Sequence, residues 1–246
     1  MYAHDAVQPA YDGQSKTEKV ARMFDAIAPS YDRLNRVISL GLDQRWRRKL
    51  LAAVLETRPR RVLDVATGTG DFALALSAAG LSEVVGLDLS PGMLAVGREK
   101  ARRMGHAVTF AEGDGQALSF PDGAFDAVTV VFGIRNFEDL DRGLAELSRV
   151  TRPGGLVAIL ELSTPDSPLL RPLHRLYTRW VLPNVGALLS GQRSAYRYLP
   201  SSVEAFPSGA ALLEVMARAG FVGNRHVSLS GGIAAIYLAR KPGLGT

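Results

Sequence analysis

Carboxylates and small residues recur at the ends of short apolar runs in this chain of 246 residues, and their types suit the binding of an adenosine derivative. The first such end lies in Arg61-Val-Leu-Asp-Val-Ala-Thr-Gly-Thr-Gly-Asp71, an apolar run closing on Gly68, Thr69, Gly70 and an acid. Lacking Cβ atoms, Gly68 and Gly70 let the backbone turn sharply and approach a ligand lying across the strand ends. Together with Ala73 they also meet the loose spacing G-x-G-x-x-G/A, so spacing alone leaves a nicotinamide or flavin enzyme open. Asp71 argues the other way. A pyrophosphate would sit on the following helix N-terminus, where a carboxylate repels it, whereas the sulfonium and ammonium of S-adenosylmethionine are attracted to an acidic loop.

Three further ends carry chemistry. Asp88 closes Val84-Val-Gly-Leu-Asp88, at about the spacing of an acid that accepts from ribose hydroxyls; taken alone it reads as a turn or cap acid before Pro91. Glu112-Gly-Asp-Gly115 offers Asp114 to an adenine amine and Gly115 for close passage of the backbone, although such a tripeptide alone is a common turn. Phe132-Gly-Ile-Arg-Asn136 sets a guanidinium and an amide at a strand end, where each needs a polar partner. Arg135 and Asn136 are therefore expected to face the acceptor; the competing arrangement pairs Arg135 with Glu138 or Asp139 at a helix start.

The elements that must position these residues follow from periodicity. From Arg61 onward β-rich runs alternate with helical patterns, which predicts parallel βαβ units. Strands are expected at 61–66, 84–88, 107–112, 125–132 and 155–162, with helices at 71–79, 91–104 and 138–150. Phe120-Pro-Asp-Gly-Ala-Phe-Asp126 and Arg152-Pro-Gly-Gly155 punctuate the last two strands. Val222 to Leu229 and Ile233 to Arg240, separated by Ser230-Gly-Gly232, read as a hairpin. The fold class is thus α/β, a Rossmann-like doubly wound seven-stranded sheet with one antiparallel strand near the C-terminus. Two helices precede the sheet within 18–57, residues 1–17 read as a flexible leader, and 165–206 form an insert covering the acceptor, all within a single domain over 18–246.

Composition narrows the classes. With no cysteine, the sequence excludes disulfides, thiolate zinc sites and cysteine nucleophiles, and suits a cytoplasmic setting. Apolar runs such as Gly155 to Leu160 and Val181 to Leu189 fall short of the roughly 18 residues that span a bilayer. No signal peptide is expected, since Asp5, Gln8 and Asp12 stand where an apolar segment would be. The formal charge of +5 is carried by scattered arginines, apart from Arg45-Trp-Arg-Arg-Lys49 and Arg58 to Arg61; neither cluster has the interleaved aromatics of a nucleic-acid groove, and no nucleic-acid partner is expected.

The succession Asp64-Val-Ala-Thr-Gly-Thr-Gly-Asp71, Asp88, Asp114, Phe120-Pro with Asp126, and Pro153-Gly-Gly155 resembles class I S-adenosylmethionine-dependent methyltransferases. More narrowly, Phe24-Asp-Ala-Ile-Ala-Pro-Ser-Tyr-Asp-Arg-Leu-Asn35, Trp46-Arg47, Phe132-Gly-Ile-Arg-Asn136 and Ser194-Ala-Tyr-Arg-Tyr-Leu199 resemble the ubiquinone/menaquinone biosynthesis C-methyltransferases. The resemblance runs from about residue 18 to 240. It implies methyl transfer from S-adenosylmethionine to a ring carbon of a polyprenylated hydroquinone, most simply demethylmenaquinol to menaquinol. It also places Thr69, Asp88, Asp114 and Gly115 on the cofactor, with Gly68 and Gly70 shaping the loop. Family members often carry Asn-Ala in place of Asp114-Gly115, and some carry Ser in place of Val131, where contact here can come only from backbone or packing. Other phenolic or lipid acceptors, and an NAD(P)-dependent oxidoreductase, are the alternatives.

Methylating an aromatic carbon requires electron density there, which rises when a neighbouring hydroxyl becomes a phenolate. The fixed charge of Arg135 would lower that phenol's pKa, with Asn136 orienting the ring and no metal needed. Leu169, Leu170, Leu173, Leu176, Tyr177 and Trp180 recur at helical spacing beside Arg171, Arg175 and Arg179. This pattern fits an interfacial helix in peripheral contact with the inner face of the membrane, and equally a helix packed on the sheet. His174 in this run reads as a packed or exposed histidine.

Overall fold

The computed structural model of the protein describes residues 2–165, 167–182, 184 and 192–243. Its centre is a seven-stranded sheet in the order β3-β2-β1-β4-β5-β7-β6. The strands are β1 (Arg61–Val65), β2 (Glu83–Asp88), β3 (Thr109–Glu112), β4 (Phe125–Val131), β5 (Thr151–Leu162), β6 (Val222–Leu229) and β7 (Ala234–Arg240). The five strands β1 to β5 run parallel, and β7 lies antiparallel to both β5 and β6. A sheet covered on both faces wants continuous apolar runs rather than alternation. Accordingly Val62, Leu63, Val65, Ala127, Val128, Val130, Val157, Ala158, Ile159 and Leu160 are all fully buried. One difference from expectation is that β5 begins at Thr151 and so includes Arg152-Pro-Gly-Gly155; Phe125 pairs with Thr151, and the register then slips before Ala127 meets Leu156.

Helices α4 (Asp71–Ala78), α5 (Pro91–Met104) and α6 (Leu140–Val150) connect these strands. The last two start on N-capping side chains: Ser90 accepts from the Met93 N–H at 3.1 Å, and Asp139 accepts from the Arg142 N–H at 2.9 Å. Ahead of the sheet come α1 (Lys16–Ile27), α2 (Tyr31–Ile38) and α3 (Leu42–Leu55). Between β5 and β6 come α7 (Leu170–Leu176), running on as a wider turn over Tyr177–Val181, then α8 (Arg193–Ala205) and α9 (Ala210–Arg218). Trp46 of α3 packs beneath the sheet with Leu50, Val54, Val62 and Leu160, while α1 and α2 rest on Met93, Tyr196 and Tyr198.

Residues Ala3–Ala6 form a short 3-10 turn, His4 is fully buried against the Phe206 ring (centroids 5.2 Å apart), and Tyr2 hydroxyl donates to Asp141 at 2.8 Å. Lys16 is fully buried as well; its ammonium donates to the carbonyls of His4 (2.8 Å) and Phe137 (3.0 Å). Tyr2, His4 and Lys16 thus anchor this segment at separate points, through polar and aromatic contacts that an apolar-periodicity reading does not register, while Ala3, Ala6, Gln8, Ala10, Asp12 and Gln14 are exposed. Positions 166, 183 and 185–191 of the 165–206 insert, including most of the Val181 to Leu189 run, lie outside the described residues.

Candidate active site

The carboxyl ends of β1, β2 and β4 open onto one cleft. It is lined by Ala66, Gly68, Asp88, Gly115, Val131 and Asn136, and roofed by Val20, Phe24 and Tyr31 from α1 and α2. Asp88 sits at its floor with both carboxylate oxygens partly used: Oδ2 accepts from the Gly68 N–H at 2.7 Å and Oδ1 from the Ser90 N–H at 2.9 Å. Each oxygen retains a lone pair for another donor. Burial raises Asp88 to about 6, against the lowering effect of these two amides, and Asp25 nearby raises it further. Asp64, fully enclosed one strand away, is likewise raised to about 6 by burial, its oxygens accepting from the hydroxyls of Thr67 (2.6 Å) and Thr129 (2.7 Å). A Cβ on Gly115 would lie 2.7 Å from the Phe137 ring and 2.8 Å from Val65, so glycine here lets this segment pack directly on those two side chains. Two non-glycine residues at the strand ends hold left-handed backbone, Ala66 (φ 53°) and Phe132 (φ 60°), a strain of order 1–3 kcal/mol each that clusters at functional sites.

A second, larger cavity of about 510 Å³ adjoins the cleft. Phe24, Tyr31 and Phe132 line both spaces and mark their junction. The cavity walls are mainly apolar, from Met23, Ile27, Ile38, Leu42 and Trp46 on one side and Leu170, Leu173, Tyr177, Leu182 and Leu199 on the other. The Trp46 indole N–H donates to Ser230 at 2.9 Å, and its ring meets Phe132 edge-on (centroids 6.3 Å apart), holding that side rigid. Arg135 lines the cavity and Asn136 lines the cleft, so the pair straddles the junction. Tyr198 hydroxyl donates to Asn136 Oδ1 at 3.1 Å; burial pushes this phenol up to about 12, so it stays protonated and can keep donating.

Residues 13–241 match the ubiE/COQ5 methyltransferase family. The chain belongs to that family. It is 52% identical over 221 residues to a demethylmenaquinone methyltransferase of Thermus thermophilus, covering 89% of this chain and 100% of that one. It is 46% identical over 243 residues to a Bacteroides fragilis protein of the same description, covering 98% and 99%. A solved S-adenosylmethionine-dependent methyltransferase of Thermotoga maritima superposes with a TM-score of 0.63 at 20% identity, over 90% of this chain and 99% of that one. At that identity the likeness concerns the fold, and the [4+2]-cyclase SpnF shares it with a TM-score of 0.60 at 21% identity, covering 96% of this chain and 99% of that one.

As a member of the family, the protein is an S-adenosylmethionine-dependent methyltransferase with the Rossmann-like sheet of its class, and its acceptor is quinone-like; the nicotinamide alternative falls away. The cleft fits the cofactor by its own chemistry: a buried carboxylate with spare lone pairs at the strand ends, beside the backbone of Gly68 and Gly115.

Several expected site residues sit differently. Gly68, Asp88, Gly115 and Asn136 line the cleft, whereas Thr69, Gly70 and Asp114 stand behind it. Thr69 is buried with its hydroxyl donating to Asp32 at 2.5 Å, and Asp114 Oδ1 accepts from the Gln116 N–H (2.9 Å) and side-chain amide (3.1 Å). Gly70 (φ 76°) starts α4, and its bare Cα makes room for the Phe110 ring rather than for the cleft. Asp71 is tied to the Lys100 ammonium, so its charge is compensated, and the acidity that favours a cation comes instead from Asp88. Arg135 pairs with neither Glu138 nor Asp139: Nη1 donates to Glu161 at 2.7 Å and to the Phe132 carbonyl at 2.6 Å, while its buried Nε lacks a hydrogen-bond partner among the described residues. Sequence reasoning assigned no role to Glu161, Tyr198, Phe24 or Tyr31; for Glu161 the available signal is a charged residue inside the apolar strand run from Leu156 to Leu162.

Proposed function

We propose that this protein methylates a ring carbon of a polyprenylated hydroquinone, converting demethylmenaquinol to menaquinol. The observation that carries this reading is the junction itself: the Asp88 cleft and an apolar cavity of about 510 Å³ share Phe24, Tyr31 and Phe132, with Arg135 and Asn136 astride them. Cofactor contacts are assigned to Asp88, whose carboxylate accepts from ribose hydroxyls, to the backbone of Gly68 and Gly115, and to packing by Val131, with Thr69, Gly70 and Asp114 shaping the loops that carry them. S-adenosylmethionine, when bound, would supply an electrophilic methyl group, the new C–C bond forming as the S–C bond breaks to give S-adenosylhomocysteine, with the hydroxyl proton and the proton displaced from the ring carbon passing to water. Arg135 stabilises the phenolate form of the adjacent hydroxyl, moderated by its bond to Glu161, and Asn136, braced by Tyr198, orients the ring. The apolar walls keep water from competing for the methyl group. Prenylated naphthoquinol, its tail-less analogue and prenylated benzoquinol should be compared as acceptors; the first is expected to have the lowest KM, and indifference to the tail would contradict the cavity's role.

The finer reading is that this protein works in the cytoplasm and peripherally on the inner membrane face. Leu40 and Leu173, which line the cavity, are 82% and 64% exposed, and Leu169 and Trp180, close to Leu173 in sequence, are 82% and 61% exposed, with the exposed arginines Arg36, Arg175 and Arg179 nearby in sequence. Among the described residues no helix is long and apolar enough to cross a membrane, so contact would be interfacial. Sedimentation with vesicles containing anionic lipid should carry the protein down, and Leu173→Glu with Trp180→Glu should abolish this; vesicle binding unchanged in that variant would contradict it.

A further inference from the structure

Phe24 and Tyr31, which line both spaces from above, are each followed in sequence by a carboxylate that grips the opposite side of the cleft. Asp25 Oδ1 accepts from the Ser90 hydroxyl at 2.5 Å and from the Gly92 N–H at 2.9 Å, so α1 fastens onto the first turn of α5. Ser90 is the same residue whose N–H holds Asp88. Asp32 accepts at Oδ1 from Thr69 (2.5 Å) and at Oδ2 from Lys100 (2.9 Å), so α2 fastens onto the glycine loop and α5 together. Lys100 also bonds Thr69 at 3.2 Å and Asp71, and is the cation between two carboxylates. Beneath this cover the cleft holds only about 60 Å³ of free space, several-fold less than the few hundred typical of a small-molecule site. A cofactor bound there therefore lifts the cover from this arrangement, while the bonds of Asp25 and Asp32 keep α1 and α2 tethered over it.

We propose that Asp25, Asp32 and Lys100 are positioning residues forming a two-point clamp, which holds the Phe24–Tyr31 cover over the cofactor and sets how fast the cofactor leaves. The two points differ in character. Asp25 bonds neutral donors, one of them the buried Ser90, and acts as the hinge-side anchor. The Asp32–Lys100–Asp71 point is charged, with Lys100 13% exposed, Asp32 28% and Asp71 26%, so it is the side that salt can loosen. Removing the Lys100 charge would do more than lose a bond: Asp32 and Asp71 would face each other uncompensated across the gap between α2 and α4, and the latch would become a repulsion.

The inference rests on the cofactor lying against Asp88, and the test separates the two. Protein preloaded with radiolabelled S-adenosylhomocysteine is chased with unlabelled ligand. Release from Lys100→Met should be about tenfold faster than from the parent and from Asp32→Asn about threefold faster, with Lys100→Arg restoring the parent rate. In ligand-free Lys100→Met, hydrogen exchange should quicken within residues 16–38 and stay unchanged in β1, β4 and β5. Release rates equal to the parent's in both Lys100→Met and Asp32→Asn would overturn the clamp. Parent-like affinity in Asp88→Asn would overturn the cofactor placement beneath it, whatever the release rates.

Discussion

At the scale of single residues, the decisive feature is that Arg135 is not a free cation. Its guanidinium and Glu161 form an ion pair 7% and 1% exposed, so removing one partner strands a buried charge at a cost of about 3–5 kcal/mol. Arg135→Leu alone should therefore lose both fold stability and turnover. Arg135→Leu with Glu161→Leu should regain most of the stability, measured by urea unfolding, and still fail to turn over while binding S-adenosylhomocysteine normally. Recovery of turnover in the double variant would remove Arg135 from the chemistry. Asp88 gives a second prediction. Its carboxyl titrates near 6, so ligand affinity measured by calorimetry should fall about tenfold per pH unit below that point and stay flat above it. Because the folded value lies above the ordinary 3.8, protonation of this group does not itself weaken the ligand-free fold; its contribution to stability is present in acid and lost as pH rises through 6. Asp88→Asn should abolish the slope, and a slope that survives would assign it to Asp64.

At the scale of elements, the parallel strands and their helices were legible because each obeys a local rule. Val84 to Asp88 and Phe125 to Val131 are apolar runs bounded by turns, and Pro91 after Ser90 marks a helix start. What escaped was what two distant segments decide together. Thr69 stands in the expected loop, yet Asp32 from α2 turns its hydroxyl away from the cleft. Asp71 looks like a free acid until Lys100 of α5 arrives beside it. The leader shows the same limit, since Lys16 is a surface residue by type and is buried only because Phe137 and His4 supply carbonyls to its ammonium. Burial lowers this lysine from 10.5 to about 8, so the unfolded chain holds its proton more tightly between those values. Stability should accordingly rise with pH through that window in the parent relative to Lys16→Met, as urea midpoints would record; parallel profiles would mean that Lys16 is solvated and the leader undocked.

At the scale of the whole molecule, the sheet order brings the ends of β1, β2 and β4 to one rim, and the segments flanking the sheet close over it. The N-terminal helices precede the sheet and the 165–206 insert interrupts it between β5 and β6, and Tyr177 hydroxyl donating to the Ile38 carbonyl at 2.7 Å joins them at the cavity wall. No local pattern announces that meeting; it exists only once the sheet has set both segments on the same side. The cavity's apolar walls and the polar pair at its junction together assign methylation to carbon in a greasy ring, and this is the claim to test. Purified protein should be given S-adenosylmethionine with an isotopically labelled methyl group and prenylated demethylmenaquinol, and the product's labelled methyl located by nuclear magnetic resonance. A signal from a methyl bonded to ring carbon is the predicted result; a methyl on oxygen, or an unchanged quinol beside intact cofactor, would contradict the account.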